Sequence, residues 1–197
     1  MADAPVKMFV GIRVPTGIAD SLWSFRVTHF DKLEGVQWTE PSNLHITLRF
    51  LGAQTVQSGN LIAEELSKIP NSPVGITLMG GGIFEDAGVL FISILPVPEL
   101  MQLQASVDQV ALANDVAPSQ YPYTPHISVG HLNEARVEST SPRRIFSQAA
   151  KQLDDFCQRS PLHHFLSTEM SLFDSVGGRY SVLRNFRLTG HSASKEA

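Results

Sequence analysis

Two of the chain's seven histidines sit in matching four-residue phrases: His45-Ile46-Thr47-Leu48 and, in the second half, His126-Ile127-Ser128-Val129. Read as β-strands, alternate residues share a face. His45, Thr47 and Arg49 would then project together, with Ile46, Leu48 and Phe50 opposite them. In the second copy His126, Ser128 and Gly130 would share a face against Ile127 and Val129. Each phrase therefore lifts an imidazole and a hydroxyl off an apolar backing. An approximate two-fold relation between the halves would bring both polar faces to one cleft. That set suits a phosphodiester. With an ordinary histidine pKa of about 6.5, one ring can be neutral and the other charged near neutral pH. One takes a proton from water while the other gives one to the leaving oxygen. The hydroxyls donate to the non-bridging oxygens where charge must be held. None of these steps calls for a metal.

A lone histidine on a half-buried strand is ordinarily a satisfied polar residue; the duplication carries the reading. The remaining candidates read as structural. His163 and His164 are adjacent, so a strand turns them opposite ways, and His29 and His191 read as incidental. The run "MGGGIFEDAG" lacks the Lys-Ser/Thr ending of a phosphate loop and reads as a hairpin. Cys157, beside Leu153 and Phe156 on a helical face, reads as core. Asp154-Asp155 and Glu64-Glu65 read as solvated helix faces; Arg143-Arg144, at a helix start, read as reaching a phosphate or facing water, with water favoured.

The elements that must position the phrases follow from hydrophobic period. "KMFVGIRV" before Pro15 reads as a buried strand, and Thr16 as the N-cap of a helix running to about Lys32. "GVQWTEPSN" reads as a short strand and turn, "LHITLRFLG" as a strand ended by Gly52, and Leu61 to Ile69 as a helix stopped by Pro70. "VGITLMGGGIFEDAGVLFISIL" reads as a hairpin. The second half repeats the scheme: a helix from Pro98 to about Asn114, the strand "HISVG", a helix with Ser141 as N-cap and Pro142 at its first position, and a pair of strands about Gly177-Gly178. The expectation is α+β, with a duplicated unit in one body over residues 1–190 and a polar tail at 191–197.

Composition agrees with a globular chain of 197 residues: 43% hydrophobic, 17% charged. A formal charge of −4 argues against a broad electrostatic grip on nucleic acid but leaves room for a local phosphate site. A single cysteine excludes an intramolecular disulfide and a Cys-rich zinc site. The N-terminus lacks a signal-peptide apolar stretch, and Val89 to Leu95 is too short to span a bilayer, so the cytoplasm is expected.

With both phrases in view, the chain resembles the two-histidine (2H) phosphoesterase superfamily, and within it the RNA 2′,3′-cyclic phosphodiesterases, long called the 2′-5′ RNA ligase family. "VQWTEPSNLHITLRFLG" resembles that family's Trp-x-x-x-x-Asn-x-His-x-Thr-Leu-x-Phe-Leu-Gly stretch. "FVGIRVP", "YPYTPHISVG" and "SLFDSVGGRYSVLRNFRL" resemble its opening strand, its aromatic-x-Pro-His stretch and its closing hairpin, so the likeness covers most of residues 7 to 189. It implies a bilobal fold, two antiparallel sheets lining a central cleft with helices outside, no metal or cofactor, and hydrolysis of RNA 2′,3′-cyclic phosphate ends to 2′-phosphates, with reversible 2′-5′ ligation as an accompanying capacity. His45 maps onto the proton donor to the leaving 3′ oxygen, His126 onto the base that activates water, and Thr47 and Ser128 onto the phosphate-binding hydroxyls. Arg49, Tyr123 and His131 are further substrate-binding candidates. The family often carries Arg where this chain has His131, so less positive charge is expected there; simple alternation also turns His131 away from His126 unless a bulge intervenes. RNA termini or small nucleotide cyclic phosphates are the expected partners of a monomer that touches no membrane. Two alternatives stay open: an esterase for another small cyclic phosphate, such as ADP-ribose 1″,2″-cyclic phosphate, or for a 2′-5′ linkage; and a non-catalytic RNA-end or nucleotide-binding module.

Overall fold

The computed structural model describes residues 4–30, 35–70, 72–132, 142–159 and 163–190. Among them the chain forms β1 (Val6–Arg13), α1 (Thr16–Phe30), β2 (Val36–Trp38), a 3-10 turn (Pro41–Asn43), β3 (His45–Gln54), α2 (Val56–Leu66), β4 (Val74–Phe84), β5 (Val89–Ile94), α3 (Pro98–Ala113), β6 (His126–Leu132), α4 (Pro142–Arg159), β7 (His164–Ser167), β8 (Glu169–Val176) and β9 (Arg179–Arg187). Ser141, Lys32 and the tail at 191–197 lie outside the described residues.

Three expectations about these elements change. Helix α1 begins at Thr16 itself, whose preceding Pro15 carbonyl accepts from Ile18 and Ala19. Gly52 does not end β3: it takes φ +72° and the strand bends through it to Gln54, because only glycine enters that backbone region without cost. The first strand of the closing pair is two strands. Leu188 N–H bonds the Thr168 carbonyl; before it β7 pairs with β4, after it β8 pairs with β1.

All strand pairs are antiparallel, in the order β7-β4-β5-β6-β3-β1-β8-β9, with β2 laid along β6. The two expected sheets are thus two wings of one curled sheet, with four strands in one and, counting β2, five in the other. They meet where β3 pairs with β6, in register only at Ile46–Ile127. Neither wing is one half of the sequence: β1 and β3 stand with β8 and β9, and β4 and β5 with β6 and β7. The helices follow the same exchange. α2 and α3 pack on β3, while α4 packs on β4 and β5 and touches α1.

The helices and one sheet face enclose the core. In α3, Leu100, Leu103, Val107 and Ala111 recur at three- and four-residue spacing and are buried. They meet the side chains of Ile46, Leu48 and Ile127 within one hydrophobic cluster. Burying each such side chain contributes about 1.5–3 kcal/mol. The Gly80-Gly81-Gly82 run serves packing. A Cβ on Gly81 would collide with the Ala150 carbonyl of α4, and one on Gly80 with the Asp154 carboxylate. Asp154, expected in solvent, accepts from the Gly81 N–H at 2.8 Å, so the bare backbone lets α4 lie directly on β4.

Candidate active site

Both phrases carry the same local irregularity. On β1, Gly11 faces Thr47 and Val10 faces Arg49, leaving Leu48 with no partner. On β5, Phe91 faces Ser128 and Leu90 faces Gly130, leaving Val129 without one. Each extra residue is a β-bulge that reverses the alternation beyond it. Leu48 and Arg49 are therefore both buried and Phe50 is exposed; Val129 and Gly130 are both buried and His131 is exposed. This corrects the expected faces. Arg49 is turned into the core, where its Nε lies 2.6 Å from Asp108 Oδ1 of α3 and its guanidinium donates to the Ala117 carbonyl at 2.5 Å. Phe50 takes its place on the face of His45, 6.0 Å from Phe9. His131 meets the condition set for it: the bulge returns it to the face of His126.

Pairing at Ile46–Ile127 sets His45 across from Ser128 and Thr47 across from His126. All four lie on the face opposite the two isoleucines, which are fully buried. Side chains directly opposite lie about 5 Å apart and diagonal ones about 7–8 Å. The histidines are one diagonal of this square and the hydroxyls the other.

The two rings are held alike. His45 Nδ1 lies 2.7 Å from the Asn43 carbonyl and His126 Nδ1 lies 2.7 Å from the Thr124 carbonyl. A carbonyl can only accept, so each Nδ1 carries the hydrogen and each Nε2 of the neutral ring is left as an acceptor. His45 Nε2 is 3.0 Å from Thr47 Oγ1, whose hydroxyl donates to the neutral ring. Burial lowers the pKa of both imidazoles by disfavouring the charged form. The carbonyl bonds oppose this in each, and the nearby His126 lowers His45 further.

Aromatic rings, not singled out in the sequence, supply that burial. His45 lies 4.6 Å from Phe9, 5.2 Å from Tyr180 and 6.1 Å from Phe173, with Phe9 and Phe173 stacked at 4.8 Å. His126 meets the edges of Phe84 at 4.8 Å and Phe91 at 5.5 Å, themselves stacked at 4.1 Å. Gly11 makes room: a Cβ there would stand 2.8 Å from the Ile46 carbonyl oxygen and 3.5 Å from His45 Cδ2. The alternation Phe9, Gly11 in "FVGI" was a usable signal only once β1 was known to adjoin β3. Tyr123 packs against the hydrophobic core with its hydroxyl buried, and desolvation raises its pKa. Neither it nor Arg49 joins the square. Two further histidines have local partners: His29 Nδ1 lies 3.0 Å from the Phe25 carbonyl, and His164 Nδ1 lies 2.9 Å from Thr77 Oγ1. Cys157 is buried, its thiol pushed up to about 12.

Comparison with known proteins places this geometry. An RNA 2′,3′-cyclic phosphodiesterase of Archaeoglobus fulgidus is 32% identical over 105 residues, 52% of this chain and 59% of that protein. The RNA 2′,3′-cyclic phosphodiesterase of Escherichia coli is 27% identical over 190 residues, 94% of this chain and 98% of that one. The crystal structure of E. coli LigT in apo form superposes with a TM-score of 0.74 at 21% identity, covering 95% of this chain and 99% of that chain, a likeness of fold. The family model of the 2′-5′ RNA ligase superfamily matches residues 18–178, a span that holds both histidine phrases, both bulges and the joint between the wings; the chain belongs to that superfamily.

Proposed function

We propose that this chain hydrolyses RNA 2′,3′-cyclic phosphate ends to 2′-phosphates by acid and base catalysis between His45 and His126, with residues 1–190 acting as one catalytic unit. The observation that carries the reading is the square about Ile46–Ile127, in which two imidazoles present Nε2 and two hydroxyls stand between them. Two relatives are named for this activity. His126 Nε2 takes a proton from water, and the water oxygen bonds to phosphorus. The bond from phosphorus to O3′ breaks, and His45 Nε2–H delivers its proton to that oxygen. Thr47 and Ser128 donate to the non-bridging oxygens. Burial leaves both rings short of protons in the free protein; the bound phosphodiester anion favours the imidazolium that His45 must become. Once that ring is charged, the Thr47 hydroxyl is released from Nε2 and turns to the phosphate. A ribose 5′-hydroxyl in place of water would give a 2′–5′ linkage by the same transfers. No role is assigned to a metal, because each proton has an imidazole to carry it. The site is assembled from one chain, which supports a working monomer. No helix among the described residues is long and apolar enough to cross a membrane; we place the activity in the cytoplasm, where RNA ends occur. Incubation with a nucleoside 2′,3′-cyclic phosphate and identification of the product tests the reaction. The 2′-phosphate alone is expected. A 3′-phosphate would assign the proton donor to the wrong oxygen, and no product would favour a binding role.

A further inference from the structure

The square is nearly symmetric, but what flanks it is not. On β1, Arg13 faces His45 across the β1–β3 pair, so the two side chains leave the sheet on the same side. The matching neighbour of His126 on β5 is Ser93, whose hydroxyl donates to the Gly80 carbonyl at 2.9 Å. A permanent cation therefore stands beside one histidine and a satisfied hydroxyl beside the other. Arg13 is exposed, and its guanidinium carbon lies 6.0 Å from the Phe173 ring, itself 6.1 Å from His45. The ion pairs among the described residues are Arg49–Asp108 and Lys68–Glu65, so Arg13 is consumed by neither. One strand spacing is about 4.8 Å, which puts the Arg13 backbone roughly 7 Å from the middle of the square. Its head leans farther out, toward β8.

From this asymmetry we infer that Arg13 holds the phosphate on the 5′ side of the reacting nucleotide, and so selects a cyclic phosphate at the end of a chain over a bare nucleoside cyclic phosphate. The inference rests on His45 being the acid. If His45 protonates O3′, the ribose lies on its side of the square, and the 5′ carbon leads outward over β1. Water arrives on the His126 side, where no chain has to leave. Arg13 is then too far out for the reacting phosphate and well placed for the next one, which a planar guanidinium grips through two parallel N–H bonds. A chain of net charge −4 gains little from general attraction to RNA, so a single placed cation is the more effective device.

The test compares three substrates on the full chain: a nucleoside 2′,3′-cyclic phosphate, the same compound with a 5′-phosphate, and a dinucleotide with a cyclic-phosphate end. The wild type is expected to favour the last two by about 10- to 100-fold in kcat/KM, mainly through KM. Arg13→Met should bring that ratio close to one, and Arg13→Lys should keep part of it, since Lys retains the charge without the fork. An unchanged ratio in Arg13→Met, a wild-type ratio near one, or an equal loss on all three substrates through kcat would overturn the inference. Turnover of none of the three by the wild type would instead overturn the two-histidine reading, and this inference with it.

Discussion

At the scale of single residues, what matters is which nitrogen is free and which proton it holds. The Asn43 and Thr124 carbonyls hold Nδ1 of both rings and leave Nε2 to act. Because burial lowers both pKa values, kcat/KM should trace a bell whose acid limb lies below the ordinary histidine value of about 6.5, measurable as initial rates across pH. The same shifts have a stability consequence. Below about pH 6.5 the unfolded chain takes up protons that the folded rings resist. The stability they contribute is complete above that pH and is lost as pH falls through the folded values. A thermal melt series from pH 7.5 to 5 should show this decline, and it should shrink in the His45→Gln, His126→Gln double variant. Thr47→Val and Ser128→Ala should each cost less turnover than loss of a histidine, since the other hydroxyl still meets the developing charge.

At the scale of elements, two bulges and several glycines aim the side chains. The histidine phrases, most strand positions and the four helices were legible in hydrophobic period, since burial of one face writes itself into the sequence; the bounds of α2 were not, for it starts at Val56, capped by Thr55, and ends at Leu66 rather than running from Leu61 to Ile69. The bulges were not. Leu48 and Val129 are ordinary aliphatics in good strand sequence, and only the register on β1 and β5 reveals that each is extra. That is why Arg49 could be expected beside His45 and yet lie against Asp108. The aromatic shell was equally hidden, because Phe9, Phe84, Phe91, Phe173 and Tyr180 come from five strands whose adjacency is long-range. Arg49→Met should lower stability by about 2 kcal/mol, a discounted figure because Asp108 is 29% exposed, seen as a fall in the urea midpoint. Gly11→Ala should act on the site directly. The added methyl must displace the β3 backbone or the His45 ring, so turnover should fall about tenfold or more, with a stability loss of about 1–3 kcal/mol in the same urea measurement.

At the scale of the molecule, the function depends on two wings joined by one residue pair. The exchange of strands between sequence halves ties each wing to both halves. Duplication was readable from the repeated phrase, whereas the exchange was not, because pairing partners leave no local mark. The fold is shared with LigT, and the site's central claim is that two imidazoles divide the proton transfers. The most direct measurement is turnover of a nucleoside 2′,3′-cyclic phosphate by wild type and His126→Ala, both in excess EDTA and with folding verified by circular dichroism. Wild-type activity undiminished by the chelator is expected, with a loss of about 100-fold or more in kcat for the variant. Near-normal turnover by folded His126→Ala, or wild-type activity abolished by EDTA and restored by one divalent ion, would contradict that claim.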